Sequence, residues 1–348
     1  MILDDRKEME RLDLSKVVAS LEKFPEQCEE GMAIGRKFAI KSGMKKPERI
    51  FFCGMGGSGI AGDVVAGIFP EKEIKVIKGY GLPEYVTAKD LVFVVSYSGD
   101  TEETVSAFRE AARRGCRIIA ITSGGEIERE CFKREIDCVR IPKGAKPRFA
   151  LGYMLFPVIT VLEKLKYVEK QNLDLVIKNL KETRDEIKTA IPMNDNLAKR
   201  IAFKLLDSVP VVHGFGAYEP VVYRARTQFN ENAKVVSLSE TYPELNHNSI
   251  MGWEDGNLAR NFSVIIIRDN SESEVMRKRI EFTKQLLKKS ARSVIEVWSV
   301  YPYGLSRVLS TMYVLDFVTV YLAFLRGKDP GDDSLISKLK TILKQEGQ

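Results

Sequence analysis

Two short stretches of this chain gather residues able to hold an anion. In the first, FFCGMGGSG (51–59), an apolar segment runs into a glycine-rich turn, and Ile60, Val64, Val65 and Ile68 follow at helical spacing. In the second, SYSGDTEET (96–104), Ser96, Ser98 and Thr101 surround Gly99 just where the run Leu91–Val95 ends. Hydroxyls and free backbone N–H groups that converge on the positive end of a helix can hold a dianionic phosphate without a lysine. Gly56, Gly57, Ser58, Ser96, Ser98 and Thr101 are therefore the candidate phosphate contacts. Asp100 and Glu103 have capping-box spacing, which predicts a helix start beside Thr101. No acidic residue marks the end of the strand after the GMGGSG turn, as a dinucleotide site would require, so no cofactor is expected.

Elements on both sides must position these turns. RIFFCG, IKVIKGY, LVFVVSYSG, CRIIAITSGG and DCVRIPKG read as short strands separated by helical stretches. ALGYMLFPVITVLEKLKYV reads as a buried helix, and charged helical sequence fills roughly 168–205. The pattern then restarts, with strands expected at SVPVVHGFG, KVVSL, FSVIIIRD and SVIEVWSV and helices at 218–233, 274–291 and 304–326. The fold class predicted is α/β, two tandem domains of one type, each a mainly parallel sheet flanked by helices. Residues 1–47 form a helical extension, 48–165 the first domain, 166–192 a helical linker, 193–326 the second domain, and 327–348 a helical tail.

Of 348 residues, 44% are hydrophobic and 29% charged, enough for a full core. The 54 basic residues nearly balance the 48 acidic ones, leaving +6 without a single-sign block, so neither nucleic acid nor a membrane is an expected partner. Five scattered cysteines and two histidines, His213 and His247, supply no metal-ligand spacing, and no metal is expected. Reduced thiols and a start unlike a signal peptide point to the cytoplasm.

The pair GMGGSG and SYSGDTEET resembles the sugar isomerase (SIS) domain. A third segment, TYPELNHNSIMGWE (241–254), closely resembles the signature of bifunctional phosphoglucose/phosphomannose isomerases, and the likeness runs from about residue 48 to the end. The resemblance implies two SIS domains and a homodimer. It also implies a metal-independent aldose–ketose isomerase that interconverts glucose 6-phosphate and mannose 6-phosphate with fructose 6-phosphate through a cis-enediolate.

The family's catalytic glutamate lies sixteen residues before the histidine of P-E-L-N-H-N, which is Glu231; Glu240 and Glu244 compete on proximity alone. A carboxylate can carry a proton between C1 and C2 without a metal. His247 corresponds to the histidine that opens the sugar ring from the neighbouring subunit, and His213 reads as structural. Among Lys143, Lys146 and Arg148, the family's P-R context selects Arg148 to stabilise the enediolate. The tail pattern I-x-x-L-K-x-x-L falls on Ile336, Leu339, Lys340 and Leu343 and favours Lys340 over Lys338 and Lys344 as the ring-opening lysine. Relatives that act on mannose 6-phosphate commonly carry a threonine in this tail, where this chain has Gly331–Asp332–Asp333–Ser334. A non-catalytic SIS-type sensor is the alternative, but it has no need of Glu231, His247 and a tail lysine together. The isomerase half of a glucosamine 6-phosphate synthase would need an amidotransferase domain that Met1–Ile2–Leu3 does not begin.

Overall fold

The computed structural model describes residues 2–40 and 46–346; the side chain of Lys344 lies outside the described set. Helices α1 (Arg6–Leu12), α2 (Val17–Glu22) and α3 (Phe24–Lys37) precede the first sheet. That sheet interleaves β1 (Ile50–Cys53), α4 (Gly56–Ile68), β2 (Ile74–Ile77), β3 (Leu91–Val95), α5 (Glu102–Arg113), β4 (Arg117–Thr122), α6 (Gly125–Lys133) and β5 (Asp137–Arg140). Three helices follow, α7 (Leu151–Lys164), α8 (Leu173–Ile187) and α9 (Leu197–Leu205). The second sheet is built from β6 (Val209–Phe215), α10 (Glu219–Glu231), β7 (Leu238–Tyr242), α11 (Gly256–Ala259), β8 (Phe262–Arg268), α12 (Glu274–Ser290) and β9 (Ser293–Trp298). The chain then runs into α13 (Gly304–Leu325) and α14 (Ser334–Glu346).

All strand pairs are parallel, in the orders β2-β1-β3-β4-β5 and β7-β6-β8-β9. The second sheet repeats the order of the first four strands, so the tandem repeat expected from the sequence is present in the topology. β1 and β3 are buried along their whole length because helices cover both faces, which explains their unbroken apolar runs. The strand order reverses between β1 and β3, and at such a switch point the carboxyl ends of the strands open a crevice.

One strand falls elsewhere than predicted. KVVSL has β-branched propensity, yet pairing starts only at Leu238, opposite Val211. The preceding residues are tied back to the end of α10, through Val235 N–H to the Phe229 carbonyl (3.3 Å) and Ser237 N–H to Asn230 Oδ1 (3.1 Å). With those donors occupied, no ladder can form before Leu238.

α13 is long and apolar enough to cross a membrane by length and composition, but 94% of its apolar window is buried inside the protein. It is the central core helix, packed by α8, α9 and α10. α4 and α10, the equivalent first helices of the two halves, lie side by side and antiparallel. A Cβ at Gly67, near the end of α4, would touch Pro220 at 3.2 Å at the start of α10, while Gly57, at the start of α4, lies beside the segment that meets Glu231. The positive end of one helix is thereby brought to the last residue of the other.

Candidate active site

The crevice between β1 and β3 is formed by the two predicted turns. α4 begins after Met55 and α5 after Thr101, and neither N-cap residue supplies a side-chain cap, so first-turn N–H groups of both helices face the crevice end uncapped. The capping box expected at Asp100 does not form. Asp100 Oδ1 instead accepts from Glu126 N–H (2.8 Å), capping α6 in place of α5. This exchange follows from Gly99, whose φ of +75° turns the chain so closely over Gly124 that a Cβ would sit 1.8 Å from the Gly124 carbonyl.

The hydroxyls divide into braces and free donors. Ser96 is fully buried; its Oγ accepts from Gly99 N–H (3.1 Å) and donates to Thr101 Oγ1 (3.2 Å). Its proton is thus used inside the turn, whereas Thr101, accepting from it, keeps its own proton for a ligand. Ser58 Oγ accepts from Tyr97 N–H (3.1 Å), joining the two turns, and exposed Ser98 Oγ accepts from Asp100 N–H (3.3 Å). Both also keep a proton to donate.

Tyr97, which nothing in the sequence marked, locks the crevice to the next functional segment. Its hydroxyl donates to the Pro142 carbonyl and accepts from Ala145 N–H, both at 2.9 Å. Three residues on, Arg148 sits in a short 3-10 turn, Pro147–Phe149, buried against the first turn. A Cβ at Gly57 would lie 2.8 Å from the Arg148 Cα, so only glycine admits this approach.

Arg148 Nη1 stands 3.5 Å from Glu231 Oε2. Its other two guanidinium nitrogens each make a hydrogen bond: Nε donates to Asn232 Oδ1 (2.9 Å) and Nη2 to the Pro330 carbonyl (2.9 Å). Burial pulls the Arg148 pKa down, while the nearby Glu231 and Asp333 carboxylates oppose that shift. Arg224, buried in an ion pair with Asp316 (2.9 Å), donates to the Arg148 carbonyl (2.7 Å) and holds its backbone. Glu231 closes α10 with a side chain about one-quarter exposed.

The tail is strapped over this pair. Besides the Pro330 contact, Lys234 Nζ donates to the Asp332 carbonyl (2.6 Å) and to the Glu231 carbonyl, and Lys146 Nζ pairs with Asp333 (3.1 Å). Ser15 of the N-terminal extension donates to Asp329 (2.9 Å). Burial, reinforced by Arg148, lowers the pKa of Lys234, the lysine that the fold brings beside Glu231.

Other candidates lie apart from the pair. Glu240 accepts from Ser249 (3.0 Å) and Glu244 from Asn248 (2.7 Å), both around β7. His247 follows β7 with an exposed side chain, and among the described residues no hydrogen bond or ion pair links it to Glu231, Arg148 or the two turns. Lys338 and Lys340 are exposed on α14 and make no such link either, and Lys143 is exposed beside Gly124. His213 is buried in β6 between Tyr242 and Trp253, and burial pushes its pKa down to about 3. In the second half, Asp269, which follows β8, accepts from the Tyr218 hydroxyl (2.8 Å) and pairs with Arg307 (3.2 Å). Among the described residues, no group of three or more His, Cys, Asp or Glu is arranged to hold a metal. All five cysteines are free thiols.

Residues 43–140 match the SIS domain, and residues 194–343 match the bacterial phospho-glucose isomerase C-terminal SIS domain. The bifunctional phosphoglucose/phosphomannose isomerase of Caldicellulosiruptor bescii is 34% identical over 333 residues, 94% of this chain and 98% of that protein. The chain belongs to the bifunctional phosphoglucose/phosphomannose isomerase family. The isomerase of that name from Thermoplasma volcanium is 36% identical over 85% of this chain and 91% of its own. In fold, this isomerase is similar to a glucose-6-phosphate isomerase like protein from Thermus thermophilus, with a TM-score of 0.66 at 19% identity over 98% of this chain and 99% of that one.

Proposed function

We propose that this isomerase interconverts fructose 6-phosphate with glucose 6-phosphate and mannose 6-phosphate through a cis-enediolate, without a metal ion, as a cytoplasmic homodimer. The observation that supports this most is the contact series from Gly57 through Arg148 to Glu231, which sets a carboxylate one side chain away from a phosphate crevice. In this reading the substrate phosphate lies at the starts of α4 and α5, held by Gly56, Gly57, Ser58, Ser98 and Thr101, with Ser96 bracing the turn. Glu231 carries the proton between C1 and C2, and Arg148 Nη1 stabilises the negative charge that grows on the enediolate oxygens.

Ring opening falls to His247 and Lys340. Both are exposed in the single chain, as groups completing a site across a subunit contact would be. In the homodimer, His247 of one copy reaches the other copy's Glu231. In this reading the Gly331–Asp332–Asp333–Ser334 segment, held beside Lys234, stands where mannose-active relatives carry a threonine and admits either C2 epimer.

A coupled assay with fructose 6-phosphate, EDTA present, and separate detection of both aldoses tests this. Formation of glucose 6-phosphate and mannose 6-phosphate is expected. A chain that forms neither has another function, and one that works only with added divalent ion has another mechanism.

A further inference from the structure

We propose that Asn232 is the positioning residue that aims Arg148 at the reacting carbons, an inference that rests on the function proposed above. Asn232 follows Glu231 at the end of α10 and is fully buried. Arginine has no acceptor atom, so the 2.9 Å contact from Arg148 Nε requires the Asn232 amide oxygen to face it. The amide nitrogen is fixed independently: it donates to Gln228 Oε1 (3.1 Å) and to Thr319 Oγ1 (2.9 Å). Thr319 gives its own proton to the Asp316 carbonyl (2.7 Å), so toward Asn232 it can only accept.

The hydrogen bonds therefore run one way, from Arg148 to Asn232 to Thr319 to Asp316, and the carboxylate of Asp316 in turn receives Arg224, which grips the Arg148 carbonyl. The guanidinium plane is held at Nε by Asn232 and at Nη2 by the Pro330 carbonyl, leaving Nη1 directed to Glu231. Asn232 touches no substrate in this scheme. It converts a buried cation that could rotate into one with a single free edge.

The test combines kinetics and NMR on the full chain. Asn232→Ala is expected to lower kcat for fructose 6-phosphate about a hundredfold, the scale of an ångström-sized misplacement, with KM unchanged. Asn232→Asp, which keeps an acceptor for Nε, is expected to recover part of that loss. In an Arg148→Ala background, Asn232→Ala is expected to cost nothing further. A kcat that is unaffected by Asn232→Ala, or losses that add, would overturn the proposal. Should Asn232→Ala fail to fold, Thr319→Val serves instead, with the same kcat-only pattern expected at smaller size and an unchanged kcat counting against the proposal.

The Arg148 Nε–H resonance, assigned by its disappearance in Arg148→Lys, provides a readout free of turnover. It is expected to be slow to exchange with solvent in the parent chain and fast in Asn232→Ala; an unchanged rate overturns the mount. A parent chain that shows the protected resonance but forms no aldose would contradict the proposed function and leave the mount standing.

Discussion

Arg148 has one guanidinium nitrogen left over for chemistry, and the rest of its donors explain why. Lysine at this position would keep a charge but lose the fork that meets Asn232, Pro330 and Glu231 at once. Arg148→Lys is expected to reduce kcat about 100- to 1,000-fold, as removal of one oxyanion donor does, measured by the coupled assay at saturating substrate. His213 makes a different kind of prediction. Its pKa is held at about 3 in the fold, below its ordinary value in the unfolded chain. Between roughly pH 6.5 and 3 the unfolded chain alone takes up that proton, so this contribution to stability is complete above pH 6.5 and is lost as pH falls, by up to about 1.4 kcal/mol per pH unit. Urea titrations of the parent and of His213→Gln across this range should show a steeper acid loss in the parent. Parallel curves would mean that the buried imidazole does not carry it.

At the scale of elements, the antiparallel contact of α4 and α10 brings the glycine turn of the first half, through Arg148, to the Glu231 carboxylate of the second, as the proposed mechanism needs. Gly57 is the hinge of that arrangement, because any Cβ there collides with the Arg148 backbone. Gly57→Ala is expected to raise KM for fructose 6-phosphate and lower kcat together, whereas Gly56→Ala, with open space around its Cβ position, should disturb catalysis less even though its φ of +49° disfavours a side chain. Equal effects would contradict the close approach. The tail divides in the same manner. A chain ending at Ser334 keeps the strap that meets Arg148 and Lys234 but lacks α14 and Lys340, and one ending at Arg326 lacks both. Both should lose turnover if Lys340 opens the ring, and a fully active chain ending at Ser334 would remove Lys340 from the mechanism. The two turns and the strand–helix rhythm were legible in the sequence because local glycine and apolar spacing determine them. Tyr97, Asn232, Lys234 and the Arg224–Asp316 pair were not, since each acts through partners far away in the chain, up to 98 residues apart in the Lys234–Asp332 contact. The capping box at Asp100 and the strand at KVVSL failed for one reason: tertiary hydrogen bonds claimed the groups that local propensity had assigned.

For the whole molecule, one core runs through both halves along α7 and α13. The exposed His247 belongs to this scale. In a homodimer whose sites each take Glu231 from one copy and His247 from the other, mixing equal amounts of inactive Glu231→Gln and His247→Ala chains, with subunit exchange, should restore roughly a quarter of the parent activity. No recovery with demonstrated exchange would assign both residues to one chain or remove one from catalysis. The central claim, however, concerns the proposed role of the Glu231 carboxylate beside Arg148, and the most direct measurement is the turnover of Glu231→Gln with fructose 6-phosphate alongside its binding of that substrate. A drop in kcat of about 100- to 10,000-fold with binding retained is the expected result; near-parental turnover would contradict the account.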